Sequence, residues 1–241
     1  MLSIITPVLN GSKYIQYSIE SVQRLNIPCE HIIVDGGSTD GTIEIINRYQ
    51  NIRLIHQSQK NGMYGAIHQG FTESKGKYIT WLNADDYIIK NGYESMYNHI
   101  ESQDLDFVYS NGIYHYIEYY RYKKMYGRHL GRHLLKNAIM PFIQPCSIYS
   151  RDAYDKVGGL DFKRFKIIGD RDLFQRMAYN SNIKFGYISV FSIVFLMHSN
   201  SLLSISQGLK KKENSYCIKS NVSIGNRIVF HVSGIIRKFI K

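Results

Sequence analysis

The alternation of apolar runs and helical repeats over the first hundred residues most constrains the fold. Four runs, "LSIITPVL", "EHIIVD", "IRLIH" and "KYITWLN", are apolar almost throughout, as in strands that are buried on both faces. The segments between them place apolar residues on one helical face: Ile15, Ile19 and Val22, then Ile43, Ile46 and Tyr49, then Met63, Ile67 and Phe71. This order predicts an α/β fold whose mostly parallel sheet is flanked by helices.

Composition narrows the class of protein. The 241 residues suffice for one large domain, and the formal charge of +11 favours anionic partners. The three cysteines are far apart and form no CxxC pair, which indicates a reducing compartment. The start, "MLSIITPVLN", lacks the basic segment and long apolar core of a signal peptide, so we expect a cytoplasmic protein. No DNA- or RNA-binding module is present, so we expect no nucleic-acid partner.

Carboxylates follow two of the predicted strands. Asp35 ends "IIVD", and Asp85 and Asp86 follow "ITWLN". The carboxyl ends of parallel strands meet at one edge of the sheet, where ligands bind in such folds. Mg²⁺ and Mn²⁺ prefer oxygen ligands and leave most positions to water and phosphate. A surface turn is the alternative for each acid, and for Asp40 it is the favoured one, because a helix follows directly.

Three stretches, "TPVLNGSKYI", "IIVDGGSTDGT" and "GKYITWLNADD", stand in an order and spacing that resemble the family 2 glycosyltransferases of GT-A fold. The likeness continues through "IQPCSIYSRDAYDKVGGLDFKRFKIIGDRDLFQRMA", so it covers roughly residues 1–200. It implies a Rossmann-like fold and transfer of a sugar, of hexosyl type, from a nucleotide-diphosphate sugar to an acceptor hydroxyl, with inversion. The acceptor would be a saccharide or lipid-linked saccharide in bacterial surface polysaccharide synthesis.

The resemblance also implies roles for individual residues. Thr6 and Pro7 of the first strand, together with Asp35, would bind the nucleotide. Asp85 would hold the ribose. Asp86 would hold the Mg²⁺ or Mn²⁺ ion that neutralises the diphosphate leaving group. The same resemblance divides the chain into a catalytic domain at 1–200, with a donor half at 1–103 and an acceptor half at 104–200, and a tail at 201–241.

Inversion in a single displacement needs a general base opposite the leaving group. In similar sequences the base comes from an acidic motif of the form Asp-x-Asp-Leu, which is here "GDRDL". Asp170 therefore takes the base position and Asp172 is the second choice. Because consecutive helical residues are about 100° apart, the two acids would not face the same acceptor. A helix cap is the alternative role of Asp170.

Two further residues are candidates for the acceptor or phosphate site. His198 follows an apolar run, and a neutral imidazole there could bind metal or diphosphate. Gln144, in "IQPC", is expected to line the acceptor cleft. For both, a packing role is the alternative.

The stretch "NGMYGAIHQG" departs from the family pattern. Gly65 stands where an acid is expected, and His68 and Gln69 stand where Asn and Lys are expected. The absent lysine removes a possible phosphate partner. These changes support a second hypothesis, in which the protein is a catalytically impaired scaffold that still binds nucleotide sugars.

The C-terminal segment "NRIVFHVSGIIRKFIK" has a helical apolar stripe among basic residues. A basic amphipathic helix of this kind suits an anionic membrane surface. Residues 224–241 are thus expected either to attach the protein peripherally to the inner face of the cell membrane or to dock on the domain.

Overall fold

The computed structural model describes residues 1–59, 61–137, 139–199, 201 and 207–221. The predicted amphipathic segment at 224–241 lies outside the described residues. Among the described helices, none is both long enough and apolar enough to span a bilayer.

The elements alternate along the chain as the hydrophobic pattern indicated. The strands are β1 (Leu2–Val8), β2 (Cys29–Asp35), β3 (Ile52–His56), β4 (Tyr78–Trp81), β5 (Tyr87–Ile88), β6 (Phe107–Tyr116), β7 (Arg121–Met125), β8 (Ser147–Ser150) and β9 (Phe185–Met197). The α-helices are α1 (Ile15–Gln23), α2 (Thr42–Ile46), α3 (Gly62–Glu73), α4 (Lys90–Ser102), α5 (Gly131–Lys136), α6 (Arg151–Lys156), α7 (Gly169–Tyr179) and α8 (Gln207–Asn221).

One mixed sheet contains these strands in the order β3-β2-β1-β4-β8-β6-β9-β5, and β7 pairs with β6 outside this path. The neighbouring strands β3, β2, β1 and β4 are parallel, and so are β6 and β9. β8 runs antiparallel between β4 and β6, and the short edge strands β5 and β7 are also antiparallel. The predicted α/β fold with a mostly parallel sheet is confirmed.

The central strand β1 is buried at every position, in agreement with its largely apolar sequence. Its side chains alternate between the two faces of the sheet. Ile5 packs into a core shared with α3 and α7, whereas Ile4 packs into a core shared with α4. Helices therefore cover both faces, and this leaves the carboxyl edge of the parallel strands as the place where loops can gather.

Ser12 stands just before the apolar positions of the first helix, and serine is a typical helix cap, so the sequence suggests that the helix begins there. Ser12 is not its cap, because the residue before α1 is Tyr14 and no side chain caps this end. The backbone N–H of Ser12 instead donates to the Asp40 carboxylate at 3.0 Å. This hydrogen bond joins the loop after β1 to the loop after β2 at the carboxyl edge of the sheet. Ser12 therefore connects two loops and does not cap a helix.

Candidate functional site

The register of the parallel strands brings the predicted acidic loops to one edge. Val8 pairs with Asp35, and Asp35 pairs with His56, so β1, β2 and β3 end at the same level. Ile5 pairs with Trp81 at the end of β4, and the next backbone N–H, that of Leu82, donates to the Ile5 carbonyl. The loop that carries the two neighbouring aspartates therefore leaves the sheet beside the last residues of β1.

Asp35 is buried at this edge and holds the glycine-rich loop. Its carboxylate accepts hydrogen bonds from the backbone N–H groups of Gly37, at 2.8 Å, and Ser38. The imidazole of His56 lies 3.7 Å away. Asp40 plays the turn role expected of it, since its carboxylate accepts from the Thr42 backbone N–H at the start of α2. These contacts fix the shape of the loop after β2. Nucleotide binding by Asp35 stays a prediction.

Asp85 is the accessible member of the acidic pair. Its side chain is 28% exposed, and one carboxylate oxygen lies 3.0 Å from Nε2 of His198. The His198 ring also lies beside the Tyr14 ring, with centroids 5.0 Å apart. Two residues predicted separately, 113 positions apart, thus form one polar contact at the sheet edge.

Asp86 occupies the protein interior and is 0% exposed. One carboxylate oxygen accepts from the Leu196 backbone N–H at 3.0 Å, and the other accepts from the Asn83 side chain at 2.8 Å. Burial, followed by the charge of Asp85, raises the pKa of Asp86 well above its ordinary value. Because Asp86 has no exposed surface, a cation could bind it directly only if the neighbouring residues moved.

Thr6 and Pro7 lie within the buried β1 strand. The Thr6 hydroxyl is 2.9 Å from Nε2 of His31, on the neighbouring strand β2. Burial lowers the pKa of His31 to about 4, so this imidazole is neutral at physiological pH. Pro7 and Thr6 lie one and two residues before Val8, which pairs with Asp35 at the carboxyl edge of the sheet. These contacts do not test their role in nucleotide binding, which stays a prediction.

Asp170 lies in the first turn of α7 and does not cap it, because Ile168 is the residue before the helix. The Tyr64 hydroxyl lies 3.2 Å from the Asp170 carboxylate and 3.1 Å from the Ile167 carbonyl, so these two acceptors share its single proton. Gly169 makes this approach possible, since a Cβ there would lie 2.9 Å from the Tyr64 ring. Burial raises the pKa of Asp170, which suits a group that must accept a proton near neutral pH.

Trp81 connects the surroundings of Asp170 to the acidic edge. The Tyr64 ring lies edge-on to Trp81 with centroids 6.3 Å apart, and the Gln144 side chain donates to the Trp81 carbonyl at 3.0 Å. The predicted acceptor residue Gln144 is thereby tied to the strand that leads to the aspartate pair. Burial is the main cause that raises the pKa of Tyr114 to about 12, and the charges of both Asp86 and Asp170 add to it. The two acids therefore lie within electrostatic range of one phenol.

Asp172 faces away from this region. Its carboxylate pairs with Arg176 at 2.7 Å, and Arg176 also donates to the Gly159 carbonyl. This contact closes the Gly-Gly turn onto α7. The structure thus separates the two acids of the motif as helix geometry requires, and the acceptor role of Asp172 stays a prediction.

Sequence inspection missed Glu213, on α8. Its buried carboxylate accepts hydrogen bonds from the backbone N–H groups of Lys166, Ile167 and Ile168, at 2.9, 3.0 and 3.1 Å. The next residue, Asn214, accepts from the Arg171 guanidinium. Residues on both sides of Asp170 are therefore held by one helix. No local pattern indicates this role, because Glu213 stands among lysines and resembles a solvated residue.

The stretch that departs from the family pattern, at the start of α3, packs against the residues just before it in the chain. A Cβ at Gly65 would lie 2.4 Å from the Asn61 Cβ, so the acid expected there does not fit this backbone. The Gln69 side chain accepts from the Ser58 backbone N–H at 3.0 Å and donates to the His56 carbonyl. Gln69 thus joins α3 to the end of β3, at the position where the family pattern has a lysine.

Within the described ranges, no three His, Cys, Asp or Glu side chains converge to form a ready-made metal centre. A divalent ion that relies on one or two protein ligands and completes its shell with diphosphate does not need such a centre. The accessible carboxylate of Asp85, next to the His198 imidazole, provides a donor set of that kind. The residues therefore fit a diphosphate-bound divalent ion.

Comparison with known proteins places these motifs in a family. The model of the family described as Glycosyl transferase family 2 matches residues 3–158. Glycosyltransferase GlyG of Streptococcus pneumoniae serotype 4 is 32% identical over 123 residues, which is 49% of this chain and 40% of GlyG. The putative teichuronic acid biosynthesis glycosyltransferase TuaG of Bacillus subtilis is 33% identical over 91 residues, 36% of each chain. The chain thus spans less than half of these relatives.

Solved structures share the fold. The crystal structure of residues 1–349 of S. aureus TarS in complex with UDP superposes with a TM-score of 0.68 at 17% identity, covering 82% of this chain and 61% of that one. The complex of the same protein with UDP-GlcNAc gives a TM-score of 0.67, covering 84% and 60%. The fold inferred from the sequence resemblance is confirmed.

Proposed function

The chain belongs to glycosyl transferase family 2, and we propose that it transfers a sugar from a nucleotide-diphosphate sugar to a saccharide hydroxyl, with inversion at the anomeric carbon. The acceptor is a growing polysaccharide or lipid-linked glycan, as the likeness to a teichuronic acid biosynthesis protein favours. The observation that carries this proposal is the half-buried Asp170 carboxylate, which contacts the Tyr64 hydroxyl, while the Tyr64 ring packs against Trp81 on the strand that leads to the acidic pair.

In this reaction the acceptor oxygen forms a bond to the anomeric carbon while the bond from that carbon to the diphosphate oxygen breaks. The nucleoside diphosphate leaves with the bonding electrons, and the acceptor proton passes to the Asp170 carboxylate. The raised pKa of Asp170 makes it a stronger base than an exposed aspartate. The hydrogen bond from Tyr64 fixes which way the carboxylate points.

We place Mg²⁺ or Mn²⁺ at Asp85, beside His198, where it would neutralise the charge that develops on the departing diphosphate. This differs from the assignment to Asp86 made from the sequence. The physical reason is accessibility: the Asp85 side chain is 28% exposed, whereas Asp86 has no exposed surface. Asp86 then holds the loop after β4 in place through its hydrogen bonds with Leu196 and Asn83.

A screen of UDP-, GDP- and dTDP-sugars tests the proposal, with and without Mn²⁺. A ligand that binds the native state raises the melting temperature, so the correct donor is identified before any acceptor is known. Transfer to saccharide acceptors is then measured with that donor. Donor binding without transfer to any acceptor would favour the impaired scaffold that Gly65 and Gln69 suggested.

Two matched variants test the placement of the ion. We expect Asp85→Asn to abolish the effect of Mn²⁺ on donor binding. We expect Asp86→Asn to retain it, because an asparagine can still accept the Leu196 N–H. The reverse result would return the ion to Asp86.

A further inference from the structure

The segment between β6 and α5, which contains β7 and forms a hairpin with β6, exposes many large hydrophobic side chains. Ten large hydrophobic side chains are exposed in the described residues, and five of them lie within twelve residues: Tyr119, Tyr120, Tyr122, Tyr126 and Leu130. Tyr120, at the turn, is 90% exposed, and Tyr119 is 78% exposed. We call residues 117–130 the aromatic hairpin.

The same segment is strongly basic. It contains four cations, Arg121, Lys123, Lys124 and Arg128, all exposed, and a single acid, Glu118. No ion pair among the described residues involves these four cations. Lys124 lies over the Phe191 ring, 5.5 Å from its centroid. The charge of this surface is therefore available to an anionic partner.

Protection of an edge strand does not explain this composition. β7 pairs only with β6 among the described strands, and lysines on such an edge prevent pairing with other chains. Exposed tyrosines have the opposite effect, because they add apolar surface to the edge. Tyrosine and basic residues together are instead typical of segments at a bilayer surface, where the rings lie at headgroup level and the cations contact anionic lipid.

The aromatic hairpin is connected to the candidate active site. Glu118 accepts a hydrogen bond from the Ser199 backbone N–H at 2.7 Å, and the preceding residue, His198, contacts Asp85. A surface that held the hairpin would therefore lie beside the acidic edge of the sheet.

We propose that the aromatic hairpin docks on an anionic lipid bilayer and so presents the active site to an acceptor in that membrane. The docking follows from the hairpin alone, and only its purpose rests on the proposed function. This surface is separate from the segment at 224–241.

A reporter within the hairpin tests the contact directly. In the full chain, Tyr119→Trp adds an exposed indole, and Trp81, the single native tryptophan, is buried. We expect vesicles of phosphatidylglycerol and phosphatidylcholine to shift the emission of the introduced indole to the blue, and brominated acyl chains to quench it. Tyr17→Trp, at an exposed position on α1, is the matched control and should not respond. The assay contains no sugar donor, so its outcome does not depend on transfer.

Charge reversal provides the second arm. Each Lys or Arg near an anionic surface contributes about fivefold in partition, so Lys123→Glu with Lys124→Glu should weaken vesicle binding by at least about tenfold. Arg48→Glu with Lys75→Glu makes the same change of charge at exposed positions elsewhere and should leave binding near wild type. High salt should release the protein.

Three results would overturn the proposal. The first is vesicle binding with no response from the indole of the Tyr119→Trp variant, which would place the contact elsewhere, for example at 224–241. The second is equal loss of binding in both charge-reversed pairs. The third is a response of that indole to a soluble anionic polysaccharide but not to vesicles, which would assign the aromatic hairpin to the acceptor chain.

Discussion

At the scale of single residues, the proposed chemistry depends on how burial and the Tyr64 phenol act on Asp170. Burial raises the pKa of this carboxyl, whereas the hydrogen bond from the Tyr64 hydroxyl lowers it. The phenol therefore favours the ionised form of Asp170, the proposed base, and helps to orient its carboxylate. A base of this kind loses activity as the pH falls through its pKa.

Tyr64→Phe isolates the contribution of the phenol. Without this hydrogen bond the pKa of Asp170 rises further, so the acidic limb of the kcat/KM profile should move to higher pH. The measurement is the transfer rate across a pH series with the acceptor below its KM. Tyr149→Phe is the control, because the Tyr149 hydroxyl is buried without a hydrogen-bond partner in the described part of the chain. An unchanged limb in Tyr64→Phe would contradict the role given to Tyr64.

At the scale of elements, the loop that carries Asp170 depends on α8, which lies beyond the segment matched by the family model. Glu213 accepts three backbone hydrogen bonds from that loop while buried. Hydrogen bonds to a charged group are worth about 1.5–3 kcal/mol each, so one carboxylate can fix the loop. We therefore regard Glu213 as a positioning residue for Asp170, the proposed base.

Glu213→Gln removes the charge and one acceptor oxygen. We expect kcat to fall roughly tenfold, since the loss of one charged hydrogen bond loosens the loop, while the donor KM stays near wild type. Glu44→Gln, on the exposed face of α2, is the control. Steady-state kinetics check this. A lower melting temperature with unchanged kcat would show that Glu213 serves stability alone.

The parallel half of the sheet could be predicted from the sequence because its strands are buried on both faces. β1 and β2 carry largely apolar runs, and the helix between them shows a clear period. The antiparallel half was harder to place. β7 is exposed and basic, and β5 has only two residues, so neither leaves a hydrophobic pattern.

The candidate site was predictable to the same extent. Acids at the ends of parallel strands could be located by position, and His198 and Asp85 do meet. Which of the two neighbouring aspartates is buried could not be read from the sequence, because it depends on the Leu196 backbone of the distant β9 strand. The contacts of Tyr64 and Glu213 also join residues that are far apart in the sequence, so no local sequence pattern predicts them.

At the scale of the whole molecule, stability depends on a neutral histidine between the two central strands. His31 is buried against Thr6, and burial lowers its pKa from 6.5 to about 4. The unfolded chain therefore binds more protons than the native one between these values, and stability is lost as the pH falls through this window. The loss amounts to about 3 kcal/mol.

Denaturant unfolding at a series of pH values measures this effect. Relative to His31→Gln, the wild type should lose about 3 kcal/mol of unfolding free energy between pH 6.5 and pH 4. Glutamine is the suitable replacement because its side chain can still hydrogen-bond Thr6. Parallel curves for the two proteins would contradict a neutral His31 in the native state.

The central claim concerns the whole assembly of the site: a base on α7 opposes a donor held at the acidic edge of the sheet. Donor affinity by calorimetry and transfer rate, measured together for Asp170→Asn, test it most directly, with Asp172→Asn as the control. General base catalysis contributes about 10²–10⁴-fold, so kcat should fall by that factor in Asp170→Asn while donor affinity is unchanged. Retained turnover in Asp170→Asn, or its loss in Asp172→Asn instead, would contradict the account.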